Sequence, residues 1–166
     1  MAPRPAMPPD GERLAWPPQS FRACLAAMFE VHPDFQPSSA ALGDLALCHV
    51  RLAADARFPW LILIPRVDGA RELEDLADGE RDVLMEEVLR AGQAARAVAE
   101  ALGRPARKLN VAQLGNVTPQ LHVHVIARRS DDAAWPQPVW GVGMAEAYTP
   151  PDLDAAIGAA RAILGL

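Results

Sequence analysis

The chain reads as an α+β protein built on an antiparallel sheet, and three observations predict this. Strand-like segments fall into two groups, one long amphipathic helix separates the groups, and shorter helical segments lie toward either end. Grouped strands pair with their neighbours antiparallel, whereas a parallel sheet needs strand and helix to alternate. With 166 residues, 51% of them apolar, there is ample material for the core of one domain with tails.

Residues 1–18 are rich in proline, beginning Met1-Ala2-Pro3-Arg4-Pro5. Proline removes backbone donors and resists both helix and sheet, so this segment reads as a flexible tail. Ser20 can cap a helix running to about Glu30, with Phe21, Leu25, Met28 and Phe29 on one side. His32-Pro33 stops it, because the residue before a proline avoids the helical region. The first strand is expected at 45–52, where Leu45, Leu47 and His49 alternate with Ala46, Cys48 and Val50. The second is expected at 60–64, joined to it by a hairpin-length loop; its unbroken apolar run marks a central strand.

Residues 66–78 form a polar connection holding Leu73 and Leu76. A long helix is expected over 80–102, from Leu84, Val88, Ala91, Ala95, Val98 and Leu102 at helical spacing. Asp78 is the expected N-cap, and Gly103 with Pro105 is the stop. Strands at 108–113 and 120–127 then flank a turn at Gly115-Asn116. A Pro-rich stretch with Trp135 and Trp140 follows, and an Ala-rich helix at about 152–164 ends the chain. The expected organisation is a tail at 1–18, a domain at 19–144 and a C-terminal helical segment at 145–166.

Charge and cysteine usage narrow the function. A net charge of −5 with no basic face disfavours nucleic acid as a partner, while leaving room for a small anion held by local donors. Cys24 and Cys48 are not in a C-x-x-C arrangement and read as reduced thiols of a cytoplasmic protein. No apolar run reaches membrane-spanning length and no signal-peptide core is visible, so neither membrane nor export is expected.

The chemistry concentrates in Gln120-Leu121-His122-Val123-His124-Val125. On a strand, residues two apart share a face at about 6.5–7 Å. Gln120, His122 and His124 would then form a polar face, with Leu121, Val123 and Val125 turned into the core. Imidazole can be a neutral nucleophile at cellular pH and can also return a proton. Two bland alternatives stand beside this reading: half-exposed histidines with no role, and a metal site. A metal needs further ligands, and neither His32 nor His49 lies in a ligand pattern, so no metal is expected. Just upstream, Asn110, Gln113, Asn116 and Thr118 supply amides and a hydroxyl suited to phosphate oxygens and ribose hydroxyls.

The block at 110–128 resembles the signature of the histidine triad (HIT) family, His-φ-His-φ-His-φ-φ preceded by a Gly-Gln pair and followed by a basic residue. Phe58-Pro59-Trp60-Leu61-Ile62-Leu63-Ile64-Pro65-Arg66 resembles the family's central strand, and Pro138-Val139-Trp140-Gly141 the tail of a bacterial branch labelled diadenosine-tetraphosphate-hydrolase-like. Met28 onward resembles the beginning of relatives in that branch, so residues 1–27 read either as an extension or as an upstream start in the reading of the gene.

The resemblance implies a HIT-like fold: a five-stranded antiparallel sheet with one long helix and shorter terminal helices. It implies a hydrolase or transferase that cleaves nucleotide-P-X substrates, such as dinucleoside polyphosphates, through a covalent nucleotidyl-histidine. His122 would be the nucleophile, and His124 would bond or orient the phosphate. Asn110 and Asn116, beside Gly115, would serve the phosphate site, and Asp55 the ribose. No cofactor is implied beyond magnesium carried by the substrate. Gln120, at the first triad position, cannot exchange a proton but can hydrogen-bond. Val117 stands where many members carry a hydroxyl, and Thr118 would point to the opposite face. These two departures support the other reading, a nucleotide-binding module with weak or vestigial catalysis. The family also pairs two sheets into a homodimer. Val83, Met85 and Leu89 widen the helix's apolar stripe beyond one core's need, and Trp135 and Trp140 would anchor the interface.

Overall fold

The computed structural model describes residues 29–166. Its strands are β1 (Ser39–Asp44), β2 (Cys48–Ala53), β3 (Trp60–Pro65), β4 (Lys108–Ala112) and β5 (Val123–Arg128). A one-turn helix α1 (Phe35–Ser38) precedes β1, the long helix α2 (Asp78–Ala101) runs between β3 and β4, and α3 (Pro150–Leu164) closes the chain. The strands form one five-stranded sheet in the order β1-β2-β3-β5-β4, every neighbouring pair antiparallel. The expected α+β class and the long helix are therefore both present.

Strand alternation divides the sheet into two apolar faces. Val50, Leu52, Leu61, Leu63, Val123 and Val125 point one way, into a core with Leu84, Val88, Ala91, Ala95 and Val98 of α2. Ala156, Ala160 and Leu164 of α3 enter the same core, so the C-terminal helix shares the sheet's interior. The other face carries Ile62 and Ile64 under Phe35, and Ile126 under Phe58 and Val139. Cover on both faces explains the unbroken apolar run of β3.

Several boundaries move, each for a physical reason. The strand expected from residue 45 starts at Cys48, because 45–47 form a tight turn. Glu87, reaching from α2, accepts the N–H groups of Leu47 at 2.8 Å and Cys48 at 2.9 Å. Arg66 donates to the carbonyls of Leu45 at 2.9 Å and Ala46 at 3.1 Å. Leu45 and Leu47 are buried as turn residues, which imitates strand alternation. β1 has no strand signature of its own; Ser39-Ala40-Ala41-Leu42-Gly43-Asp44 is extended because it pairs with β2, with a bulge between Ala41 and Gly43.

α2 begins at Asp78, and its N-cap is Ala77, whose N–H donates to the Glu80 carboxylate at 2.8 Å. Asp78 thus lies in the first turn, where its charge still suits the helix dipole. Gly103, at φ 68°, supplies the expected stop. Thr149 caps α3 by accepting the Asp152 N–H at 3.3 Å. The tail at 1–18 and nearly all of the helix expected from Ser20 lie outside the described residues; of that helix's last two residues, Phe29 and Glu30, neither is helical. Among the described residues, no helix is long and apolar enough to cross a membrane.

Candidate active site

The two histidines lie at the start of β5. β5 opens at Val123, so of residues 120, 122 and 124 only His124 lies on the strand. Residues 113–122 do not continue the strand; Leu121 donates its N–H to the Ala70 carbonyl at 2.9 Å, outside the sheet. His122, immediately before the strand, still brings its ring against that of His124, centroids 4.7 Å apart and planes perpendicular. Neither ring is half-exposed as the sequence suggested: His122 is 4% and His124 6% exposed.

The hydrogen bonds decide which nitrogen of each ring is free. His122 Nδ1 lies 2.7 Å from the Gln120 carbonyl oxygen. A carbonyl only accepts, so Nδ1 carries the proton and Nε2 of the neutral ring holds the lone pair. At His124 the arrangement is reversed. The Trp60 indole N–H donates to Nδ1 at 3.0 Å, leaving Nε2 to carry the proton. The site therefore offers one acceptor nitrogen and one donor N–H side by side.

Both rings are shifted toward the neutral form. Burial lowers the pKa of His122, against the opposing pull of the Gln120 and Leu114 carbonyls. Burial, with the adjacent His122, pushes His124 down to about 4, again opposed by the Leu114 carbonyl. An aromatic wall maintains this environment. Trp140 meets His124 at 5.2 Å and Trp60 at 5.3 Å, and Phe35 meets His122 at 5.0 Å, each pair edge to face.

The rings open onto a cavity of about 680 Å³. The turn after β4 forms one wall. A side chain at Gly115 would place its Cβ 3.3 Å from the Thr118 carbonyl and 3.8 Å from His122 Cε1, so the glycine admits the close approach of backbone to ring. Asn116, Val117 and Thr118 line the cavity. Thr118 does not point to the opposite face, because strand alternation does not apply in a turn; its hydroxyl donates to Asp34 Oδ2 at 3.2 Å. Val117 is 90% exposed and holds nothing.

The remaining expected site residues divide. Asp55 lines the cavity, but its carboxylate already accepts from Arg57 at 2.9 and 2.7 Å and from the Glu146 N–H at 3.3 Å. Asn110 does not line the cavity; its Oδ1 accepts from buried Arg128 at 2.6 Å. Gln120 is also outside the cavity lining, its amide turned to the backbone of residues 30–32. Trp140 packs against His124 and Trp60 and lines the cavity, whereas Trp135 is 43% exposed with the Arg128 guanidinium 5.7 Å over its ring. Residue reasoning gave no role to Trp60, Phe35 or Asp34. For Trp60 a signal existed: a polar-tipped aromatic opening an otherwise aliphatic strand needs a partner for its N–H.

A single antiparallel sheet, backed by a long helix, presents paired imidazoles at the mouth of an aromatic cavity, an acceptor nitrogen beside a donor N–H on a small α+β scaffold. The model of the HIT domain family matches residues 35–131. The chain belongs to the HIT domain family. A crystal structure of a histidine triad protein from Bradyrhizobium japonicum is 40% identical, with a TM-score of 0.76 over 82% of this chain and 98% of that one. A histidine triad protein from Sinorhizobium meliloti is 36% identical (TM-score 0.74, covering 82% and 98%). One from Marinobacter aquaeolei is 35% identical (TM-score 0.73, covering 84% and 98%). No match was found among curated proteins.

Proposed function

We propose that the protein is a nucleotidyl hydrolase or transferase in which His122 attacks the α-phosphorus of a nucleotide-P-X substrate. The observation that carries this reading is the tautomer pair: an acceptor Nε2 on His122 beside a donor Nε2–H on His124. In the proposed first step the His122 Nε2 lone pair forms a bond to phosphorus, and the P–X bond breaks with its electron pair leaving on X. The positive charge gained by the imidazole is shared with the Gln120 carbonyl through Nδ1–H. His124 donates to a phosphate oxygen as charge builds there. Water then attacks the nucleotidyl-histidine, releasing the nucleotide, a proton and the free ring.

The cavity also bears on which X is favoured. Among its described lining residues there is no Lys or Arg, both histidines are neutral, and Asp34 and Asp55 are acidic. Dinucleoside polyphosphates, the substrates of the branch that the chain resembles, would enter with their own magnesium, because unscreened charge finds little compensation. No protein-bound metal is needed for the proposed attack. The second reading is a nucleotide-binding module with weak or vestigial catalysis, and the placement of Gln120 outside the cavity favours it.

Single-turnover mixing with adenine-labelled diadenosine tetraphosphate separates the two. An acid-labile adenylyl-protein that is absent from His122→Ala supports the enzyme. Saturable binding with no adduct supports the module.

A further inference from the structure

Gln120 gives only its backbone carbonyl to the paired-imidazole geometry, and its side-chain amide is bonded elsewhere at both ends. Oε1 accepts the His32 N–H at 2.9 Å, and Nε2 donates to the Glu30 carbonyl at 2.9 Å. One side-chain amide thus grips the backbone of residues 30–32 at two points, across 88 and 90 residues of sequence. The segment so held leads into α1. There the His32 carbonyl accepts the Phe35 N–H at 3.1 Å, Phe35 packs against the His122 ring, and Asp34 accepts the Thr118 hydroxyl. Phe35 and Asp34 both line the cavity.

We infer that Gln120 is a positioning residue. It docks residues 30–35 as a strap against the turn before β5, and the strap sets the cavity wall above the nucleophile. An ionisable group at this position is unnecessary for that task. The task needs a donor and an acceptor fixed about 2.2 Å apart, which a primary amide supplies and a carboxylate does not. The consequence for catalysis rests on the proposed nucleotidyl chemistry, but the docking itself does not.

The test uses the full chain with Gln120→Ala and Gln120→Glu. Amide hydrogen exchange reads the docking directly. Gln120→Ala should lower protection at His32 and Phe35 by roughly tenfold, the loss expected when two hydrogen bonds of modest net strength disappear. Gln120→Glu retains the acceptor for His32 but sets an anionic oxygen against the Glu30 carbonyl. Its protection should be low at pH 7.5 and recover toward wild type as the carboxyl is protonated and regains a donor. AMP binding, read by the fluorescence of Trp60 and Trp140, should weaken by about the same tenfold in Gln120→Ala. With diadenosine tetraphosphate, KM should rise while kcat stays within a few-fold of wild type.

Unchanged protection at His32 and Phe35 in Gln120→Ala overturns the inference. So does a fall in kcat as deep as that of His122→Ala at unchanged KM, because Gln120 would then touch the reacting atoms. A wild-type protein that neither binds AMP nor turns over would sink the proposed function alone, and the exchange data would still decide the strap.

Discussion

At the scale of single residues, the site holds two chemically identical side chains in opposite tautomers. Replacing Trp60 with Phe keeps the ring and removes the N–H that holds His124 Nδ1. We expect a loss of about 1 kcal/mol in stability and, if the same interaction persists in the transition state, about tenfold in turnover. Nitrogen chemical shifts of the imidazoles report the result: His124 should become a mixture of tautomers while His122 stays as it is, and an unchanged His124 spectrum would refute the assignment. His122→Ala should abolish the adduct, with a rate loss of several orders of magnitude. Because His122 is buried, the same change should also lower the denaturation midpoint, which the exposed position expected from strand periodicity would not do.

The lowered histidine pKa values also make stability depend on pH. His124 binds a proton near its ordinary value of 6.5 when unfolded but only near 4 when folded. Between those values the unfolded chain holds the extra proton, so stability falls as pH is lowered through this window. The contribution lost below it is of order 3 kcal/mol for a shift of this size. Urea denaturation between pH 7 and pH 4 should show the fall, and His124→Gln should make it shallower, leaving the smaller part due to His122. A wild-type curve that is flat over this interval would contradict a buried neutral ring.

At the scale of elements, the loop after β5 is organised by one buried cation. Arg128, 1% exposed, donates to both oxygens of Asp132 at 2.7 and 2.9 Å, to Asn110 at 2.6 Å and to the Gln137 carbonyl at 2.9 Å. These bonds fold residues 128–137 back over β5 and deliver Trp140 to His124. Asp132→Ala leaves the guanidinium without its charge partner and should cost about 3–5 kcal/mol in urea denaturation. Removal of Asp78 from its exposed pair with Arg81 should cost well under 1 kcal/mol in the same assay. Similar losses in the two variants would mean that Arg128 is solvated in solution. The residue that the family resemblance assigned to phosphate, Asn110, acts in this geometry as part of the loop's anchor.

At the scale of the whole molecule, the outward side of α2 exposes Met85 at 59% and Leu89 at 58%, and edge strand β4 exposes Val111 at 53%. Their burial needs a partner, and we expect a homodimer through this side. Sedimentation equilibrium at micromolar concentration should give twice the chain mass of 17.8 kDa. The double substitution Met85→Glu with Leu89→Glu should halve that mass without unfolding the chain. A wild-type mass near one chain would refute the dimer.

How much was legible beforehand follows the range of the interactions. The long helix was readable from Leu84, Val88, Ala91, Ala95 and Val98 because helical spacing is local, and β3 because a strand covered on both faces must be apolar throughout. His122 and His124 were readable as a pair because two residues of separation keep their rings adjacent even where the regular strand has only begun. β1 was not readable: Ala and Gly carry no strand preference, and only β2 makes that segment extended. The tautomers, the neutral state of both rings, the occupation of Asp55 by Arg57 and the grip of Gln120 on residues 30–32 were beyond reach for the same reason. Each depends on a partner brought close by the chain's return over the sheet. The sequence by itself determined the class of fold and the pair of imidazoles. The tertiary structure decided which nitrogen is free, which acid is already spoken for and which amide binds backbone instead of substrate, because hydrogen-bond partners and burial are properties of packing and not of residue type.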